Sequence, residues 1–146
     1  MTRDYSDEEM TLRLLKHAQF QGFNKWLGIE LLAAGNGQVE VEVAVRPELT
    51  QHHGYVHGGC VSSLADTAAA WAAATAAKTD VVTSNFSFHF LAPAKGSHIR
   101  AHARTLKCGR RQATVEVQVF VRLEDGSEKL CGAGIATIAV LGRLAA

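Results

Sequence analysis

The stretch from Gly59 to Lys78 constrains the fold most. Val61, Leu64, Ala65, Ala68, Ala69, Ala70, Trp71, Ala72 and Ala73 leave almost no polar face on a helix drawn through it. A helix that is apolar nearly all round is buried on most sides. Its many alanines require neighbouring backbone to come close. A chain of 146 residues is one ordinary domain, able to bury about 70% of its unfolded surface. Such a helix therefore has to stand at the centre of the molecule, with the remaining chain around it.

That remaining chain reads as strands. Ile29 to Ala34 and Val39 to Val45 flank the turn signal Gly35-Asn36-Gly37, and Val39, Val41, Val43 and Val45 alternate with Glu40, Glu42, Ala44 and Arg46. Period two marks a strand with one buried face. Pro47 ends this hairpin, and Glu48 to Tyr55 is a polar loop. After Asp80 the spacing predicts strands over 81–91, 97–106, 112–123 and 129–141, with Glu124-Asp125-Gly126-Ser127 as a turn. Short connections imply antiparallel neighbours. Ahead of the strands, Ser6 and Glu9 form a capping box for a helix over 7–20 ended by Gly22, and a second turn over 24–27 closes at Gly28. The expected fold is α+β, an antiparallel sheet wrapped around one long central helix, with an N-terminal helix preceding it. Residues 1–146 are read as a single domain, with 1–27 a helical segment and 28–146 the core. The free sheet edges invite pairing with a second copy.

Charge narrows the partners. Fifteen Lys and Arg nearly cancel fourteen Asp and Glu, so the broad positive field used for nucleic acid or an anionic membrane is missing. Cys60, Cys108 and Cys131 are odd in number, far apart and without a C-x-x-C pair, against a disulfide framework or a zinc ribbon. The start of the chain is acidic and is not a signal peptide, and no run is long enough for a membrane span. The reading is a soluble protein of the reducing cytoplasm.

The chemistry is concentrated between Gln51 and Thr67. Gly58 and Gly59 open the buried helix, where first-turn amides lack intrahelical acceptors and carry the positive end of the dipole. A ligand can approach glycine backbone closely, which makes a site for charge developing on a carbonyl oxygen; a tight turn uses glycines in the same way. Asp66 is the only acid between Glu48 and Asp80, and an unpaired charge in an apolar helix is expensive. It is either functional or a structural carboxylate facing a wet interface. Gly58 and Asp66 are separated by about 12 Å of helix. One reacting group reaches both only if they come from two copies of the chain, which makes a site across a dimer interface.

The pattern His57-Gly58-Gly59-x6-Asp66-Thr67-Ala68, the later Asn85-Phe86-x3-Phe90-Leu91-x-Pro93-Ala94 and the Lys107-x-Gly109-Arg110-Arg111 turn resemble the hotdog-fold acyl-CoA thioesterases, nearest to the PaaI and hydroxybenzoyl-CoA subgroup. The resemblance runs from Ile29 to the C-terminus. It implies hydrolysis of a thioester, with an aryl or phenylacetyl group one option for the acyl part, to free acid and coenzyme A. Asp66 is then nucleophile or general base, and the Gly58 amide polarises the carbonyl. Gln51 holds the thioester or the water, His57 supports, and Thr83 orients the water from the partner subunit. Gly59 with Lys107, Arg110 and Arg111 meets coenzyme A, as a cationic channel mouth would; Lys95 is a further cation. Where some relatives place a hydroxyl one turn after the acid, this chain has Ala70. The resemblance implies no metal and no cofactor beyond the coenzyme A of the substrate, and a homodimer or dimer of dimers.

Competing readings are a non-catalytic acyl-CoA-binding hotdog module and a hotdog hydratase or dehydratase. His52, His53 and His57 lack the partners a metal site needs. Cys60 is a nucleophile or a buried small residue. Gly132-x-Gly134 lies in a strand and is no dinucleotide loop. His98, Arg100, His102 and Arg104 read as an exposed strand face, Phe86, Phe88 and Phe90 as pocket or core, and Trp26 and Trp71 as core or interface packing.

Overall fold

A computed structural model of the chain describes residues 7–20 and 22–142. Two helices, α1 (Glu8–Phe20) and α2 (Gly22–Leu27), precede the hairpin β1 (Glu30–Gly35) and β2 (Gln38–Ala44). A 3₁₀ turn over Pro47–Leu49 leads to α3 (Gly58–Ala77), and then β3 (Val81–Phe90), β4 (His98–Cys108), β5 (Gln112–Arg122) and β6 (Glu128–Val140) follow. Ser6 of the expected capping box lies outside the described residues; Asp7 caps α1, its Oδ1 accepting from the Met10 N–H at 3.2 Å. Gly22 does not merely end α1; it opens α2.

The turn at Gly35-Asn36-Gly37 follows its residues. Asn36 and Gly37 have φ of 52° and 78°, and two left-handed residues between paired strands make the hairpin turn whose twist matches them. Gly35 then pairs with Gln38.

The six strands form one antiparallel sheet in the order β1-β2-β4-β5-β6-β3. This corrects the expectation that consecutive strands are neighbours. The seven residues between β3 and β4 carry the chain from one edge of the sheet to its interior. β3 pairs only with β6, and its other edge has no partner among the described residues.

α3 lies chiefly across β4, β2 and β5. Ala65, Ala68 and Ala72 on the helix and Ala101 and Ala103 on β4 are all fully buried, so small side chains on both surfaces let helix and sheet approach. Val39, Val41 and Val43 with Val115, Val117, Val119 and Val121 fill the space on either side. Leu64 is fully enclosed there. Leu64→Ala should cost about 3 kcal/mol, read as a lower urea midpoint at unchanged slope.

The opposite sheet face is polar but not simply solvated. Glu40 and Glu42 are only 6% and 9% exposed. Arg100 bonds Glu40 and reaches Glu128 at 2.8 Å, Arg122 reaches Glu42 at 3.0 Å, and the Arg100 guanidinium lies over Phe120, 4.7 Å from the ring centroid. The carboxylates on β2 are thus covered by arginine side chains from β4, beside it, and from β5, one strand further on. Trp71 is buried, whereas Trp26 is largely exposed on α2 with the Arg46 guanidinium over its ring. No described helix is long and apolar enough to cross a membrane.

Candidate active site

The start of α3 is set by His57. It is the N-cap, with extended φ and ψ of −57° and 135°, and its Nδ1 accepts from the Gly59 N–H at 2.8 Å. The Cys60 and Val61 amides both donate to the His57 carbonyl, at 2.9 and 3.1 Å. Of the first-turn donors, the Gly58 N–H alone meets no acceptor among the described residues. This sorts the two glycines: Gly59 serves the helix cap, and Gly58 keeps an unused donor at the positive end of the helix dipole.

Gly58 opens onto a cavity of about 380 Å³ that Gln51, Tyr55, Val61, Phe90, Pro93 and Cys131 also line. Gln51 is positioned by a tight loop. Its N–H donates to the Tyr55 carbonyl at 2.8 Å, its carbonyl accepts from the Gly54 N–H at 2.9 Å, and Gly54 takes φ of +86° to close the turn. The side-chain Oε1 accepts from the His53 N–H, which leaves the Gln51 amide NH₂ as a donor at the cavity. The Phe90 ring lies directly over Gly58, 3.2 Å from where a Cβ would stand.

Phe86, Phe88 and Phe90 form a ladder along β3, with centroids 5.4 and 5.2 Å apart. The first two are half-buried and the last is largely exposed. Gly132 and Gly134 make room for the ladder: a Cβ at Gly132 would stand 2.3 Å from the Phe88 ring. The glycine pair in β6 is therefore a packing device.

Asp66 belongs to a second cluster. It does not line the cavity at Gly58. It is half-buried, and its Oδ1 accepts from Thr83 Oγ1 at 2.7 Å. The strand register shifts between Thr83 and Asn85, and such a bulge re-aims side chains beside it. Thr83 was expected to act from the partner subunit; it bonds the aspartate of its own chain. The second carboxylate oxygen has no partner among the described residues. One chain thus brings Gly58 with Gln51 and Asp66 with Thr83. It does not bring the two pairs together, because eight residues of helix separate them by about 12 Å.

Lys107, near the end of β4, and Arg110 and Arg111, in the turn to β5, are exposed, at the far end of α3. The Arg111 carbonyl accepts from Val140, and the neighbouring Leu141 N–H donates to Asp80, just past the end of α3. Within one chain they are roughly 30 Å from Gly58. The cations near the head of α3 are Lys95, next to an Ala94 whose carbonyl bonds the Val56 N–H, and Arg46, which holds the Leu27 carbonyl at 2.8 Å. Arg46 was invisible as a site residue because the sequence offers only a strand-ending arginine.

Burial pushes the Cys60 thiol up, against a smaller opposing pull from Arg46. A nucleophile needs the thiolate, so Cys60 is the buried small residue of the two readings. Burial raises Cys131 to about 11. Among the described residues no three His, Cys, Asp or Glu gather as a metal would require.

A family model described as the thioesterase superfamily matches residues 53–126, just over half of the chain. This chain belongs to the thioesterase superfamily. The matched segment holds all of α3 with Gly58 and Asp66, and Thr83 on β3; Gln51 lies just ahead of it. Among curated relatives, the 1,4-dihydroxy-2-naphthoyl-CoA hydrolase of Listeria monocytogenes is 28% identical over 121 residues, covering 82% of this chain and 95% of that protein. A thioesterase family protein from Silicibacter pomeroyi superposes with a TM-score of 0.86 at 28% identity, over 90% of this chain and 98% of that one. The phenylacetic acid degradation protein PaaI of Thermus thermophilus gives 0.71 at 29% identity, over 82% and 98%. The hotdog arrangement and the PaaI likeness expected from the motifs hold. As a thioesterase-family enzyme, the chain presents Gly58 and Asp66 at the two ends of the first half of α3.

Proposed function

We propose that this protein hydrolyses acyl-CoA thioesters to the free acid and coenzyme A, at sites shared between two copies of the chain. The observation that carries this is the unused Gly58 N–H, left over in a helix start whose other amides are satisfied. Such a donor, fixed before the substrate arrives, stabilises the oxygen of an attacked carbonyl. Gln51 stands beside it to hold the thioester or the water. Asp66 of the second copy, oriented by Thr83, takes a proton from the water as its oxygen bonds to the carbonyl carbon. Collapse of the tetrahedral intermediate breaks the C–S bond, and the departing thiolate takes up a proton as coenzyme A.

The open edge of β3, flanked by the exposed Val82 and Ile135, supports pairing with a second copy, and two such dimers form the tetramer. In that assembly the basic β4–β5 turn serves coenzyme A bound at the other chain's site, with Gly59 at its mouth. Residues 1–146 act as one unit with α1 and α2 laid on the core. The free thiols suit the reducing cytoplasm.

The test is release of coenzyme A thiol across a panel of aryl and alkyl thioesters. Turnover of at least one at a kcat/KM above about 10⁴ M⁻¹s⁻¹ is expected. Binding without release would favour the non-catalytic module instead.

A further inference from the structure

The two long helices are capped by different chemistries. α1 starts on Asp7, whose Oδ1 accepts from the Met10 N–H, and carries Glu8 and Glu9 in its first turn. Negative charge is stabilised at the positive end of a helix, so this is the ordinary arrangement. α3 starts on His57 and has no acid in its first turn. His57 Nδ1 accepts from the Gly59 N–H at 2.8 Å. That nitrogen therefore carries a lone pair, the proton sits on Nε2, and the ring is neutral. Gly59 is fitted to the ring: a Cβ there would stand 3.0 Å from Nδ1 and 3.2 Å from Cε1.

The surroundings follow the same pattern. Glu48 lines the cleft beside His57 and Gly59, and its Oε2 lies 3.6 Å from the Arg46 guanidinium. Cys60, the third residue of α3, stays a thiol because burial pushes its ionisation up, although a helix start otherwise favours the thiolate. The head of α3 is thus closed by uncharged groups, and the carboxylate beside it is answered by an arginine.

We propose that His57 is a positioning residue that fixes the start of α3 without a charge of its own, so that the positive helix end at the Gly58 N–H stays available to the oxygen of the attacked carbonyl. An aspartate at position 57 would hold the Gly59 N–H from the same place, since its Oδ1 stands where Nδ1 stands. It would also set a full negative charge one residue from the amide that has to stabilise another. The inference rests on the thioesterase reading and adds to it the requirement that the cap be uncharged.

The experiment compares the wild type with His57→Asn, His57→Asp and His57→Ala. Each is measured for its urea midpoint and for steady-state cleavage of the best thioester of the panel. Calorimetry with phenylacetate, a carboxylate that needs no turnover to bring negative charge to the helix start, supplies a separate readout. Asparagine, an uncharged cap, should keep kcat within about threefold. Aspartate should give a midpoint at least as high as asparagine, yet kcat and kcat/KM at least tenfold lower, and phenylacetate affinity at least threefold lower. Alanine, with no acceptor, should lower both the midpoint and kcat. A purely structural cap makes activity follow stability, so an aspartate variant as active as the asparagine variant overturns the proposal. So does an asparagine variant of unchanged midpoint that has lost its activity, because the ring then has another role. Failure of the wild type to cleave any thioester overturns the thioesterase reading instead; phenylacetate then decides the cap, since equal affinities in His57→Asp and His57→Asn would sink it and a weaker His57→Asp would uphold it.

Discussion

The Asp66→Asn protein is expected to cleave thioesters about a thousandfold more slowly than the wild type while still binding acyl-CoA. Asparagine keeps the shape of the side chain, and its carbonyl oxygen still accepts from Thr83 Oγ1, which now bonds Asp66 Oδ1 at 2.7 Å. What is lost is the ability to take a proton, an effect of roughly 10²–10⁴ for a positioned base. The substitution is half-buried, outside the sealed core, so the fold should survive. The measurement is single-turnover thiol release beside equilibrium binding of the same thioester. A rate within threefold of the wild type would remove Asp66 from the chemistry.

Gly58→Pro deletes the other half of the proposed machinery with little disturbance. Gly58 is the first residue of α3, where proline's fixed φ is favourable and its missing N–H breaks no helical bond. His57 already has the extended backbone that a residue before proline adopts. The nearest obstruction is the Phe90 ring edge, on a largely exposed side chain that can turn aside. kcat should fall by about 10²–10³. The decisive result comes from mixing. If Asp66 of one copy serves Gly58 of another, equal amounts of Gly58→Pro and Asp66→Asn, dissociated and reassociated, give hybrids in half the dimers. Each hybrid has one intact site of two, so about a quarter of wild-type activity returns. If both groups act within one chain, every site in the mixture is dead and nothing returns. A strictly monomeric active species would have the same meaning.

Local signals in the sequence were read correctly where the physics is local. The apolar circumference of 59–77, the left-handed Asn36–Gly37 turn and the period-two valines each depend on residues a few positions apart. Placing β3 at the far edge beside β6 was not legible, because strand order follows from how the chain passes around α3, which no short window encodes. The bond from Thr83 to the aspartate of its own chain depends on a bulge after it, invisible to alternation. The basic turn was legible as a turn, but which end of the helix it occupies depended on that same strand order. Glu40 and Glu42 read as a solvent face because alternation reports sides of a strand, and the arginines that cover them come from sixty and eighty residues away.

Gly58 and Asp66 ride on a single helix clamped against the sheet by alanine-to-alanine contact. Their spacing is as fixed as marks on a rod, so neither chain can adjust the catalytic geometry by flexing. The alignment of reacting atoms becomes a property of how two rods are laid together, where a 1 Å misplacement can cost about 10²-fold in rate. Substitutions on the mating surface, remote from any reacting group, should therefore tune turnover as finely as changes in the site itself.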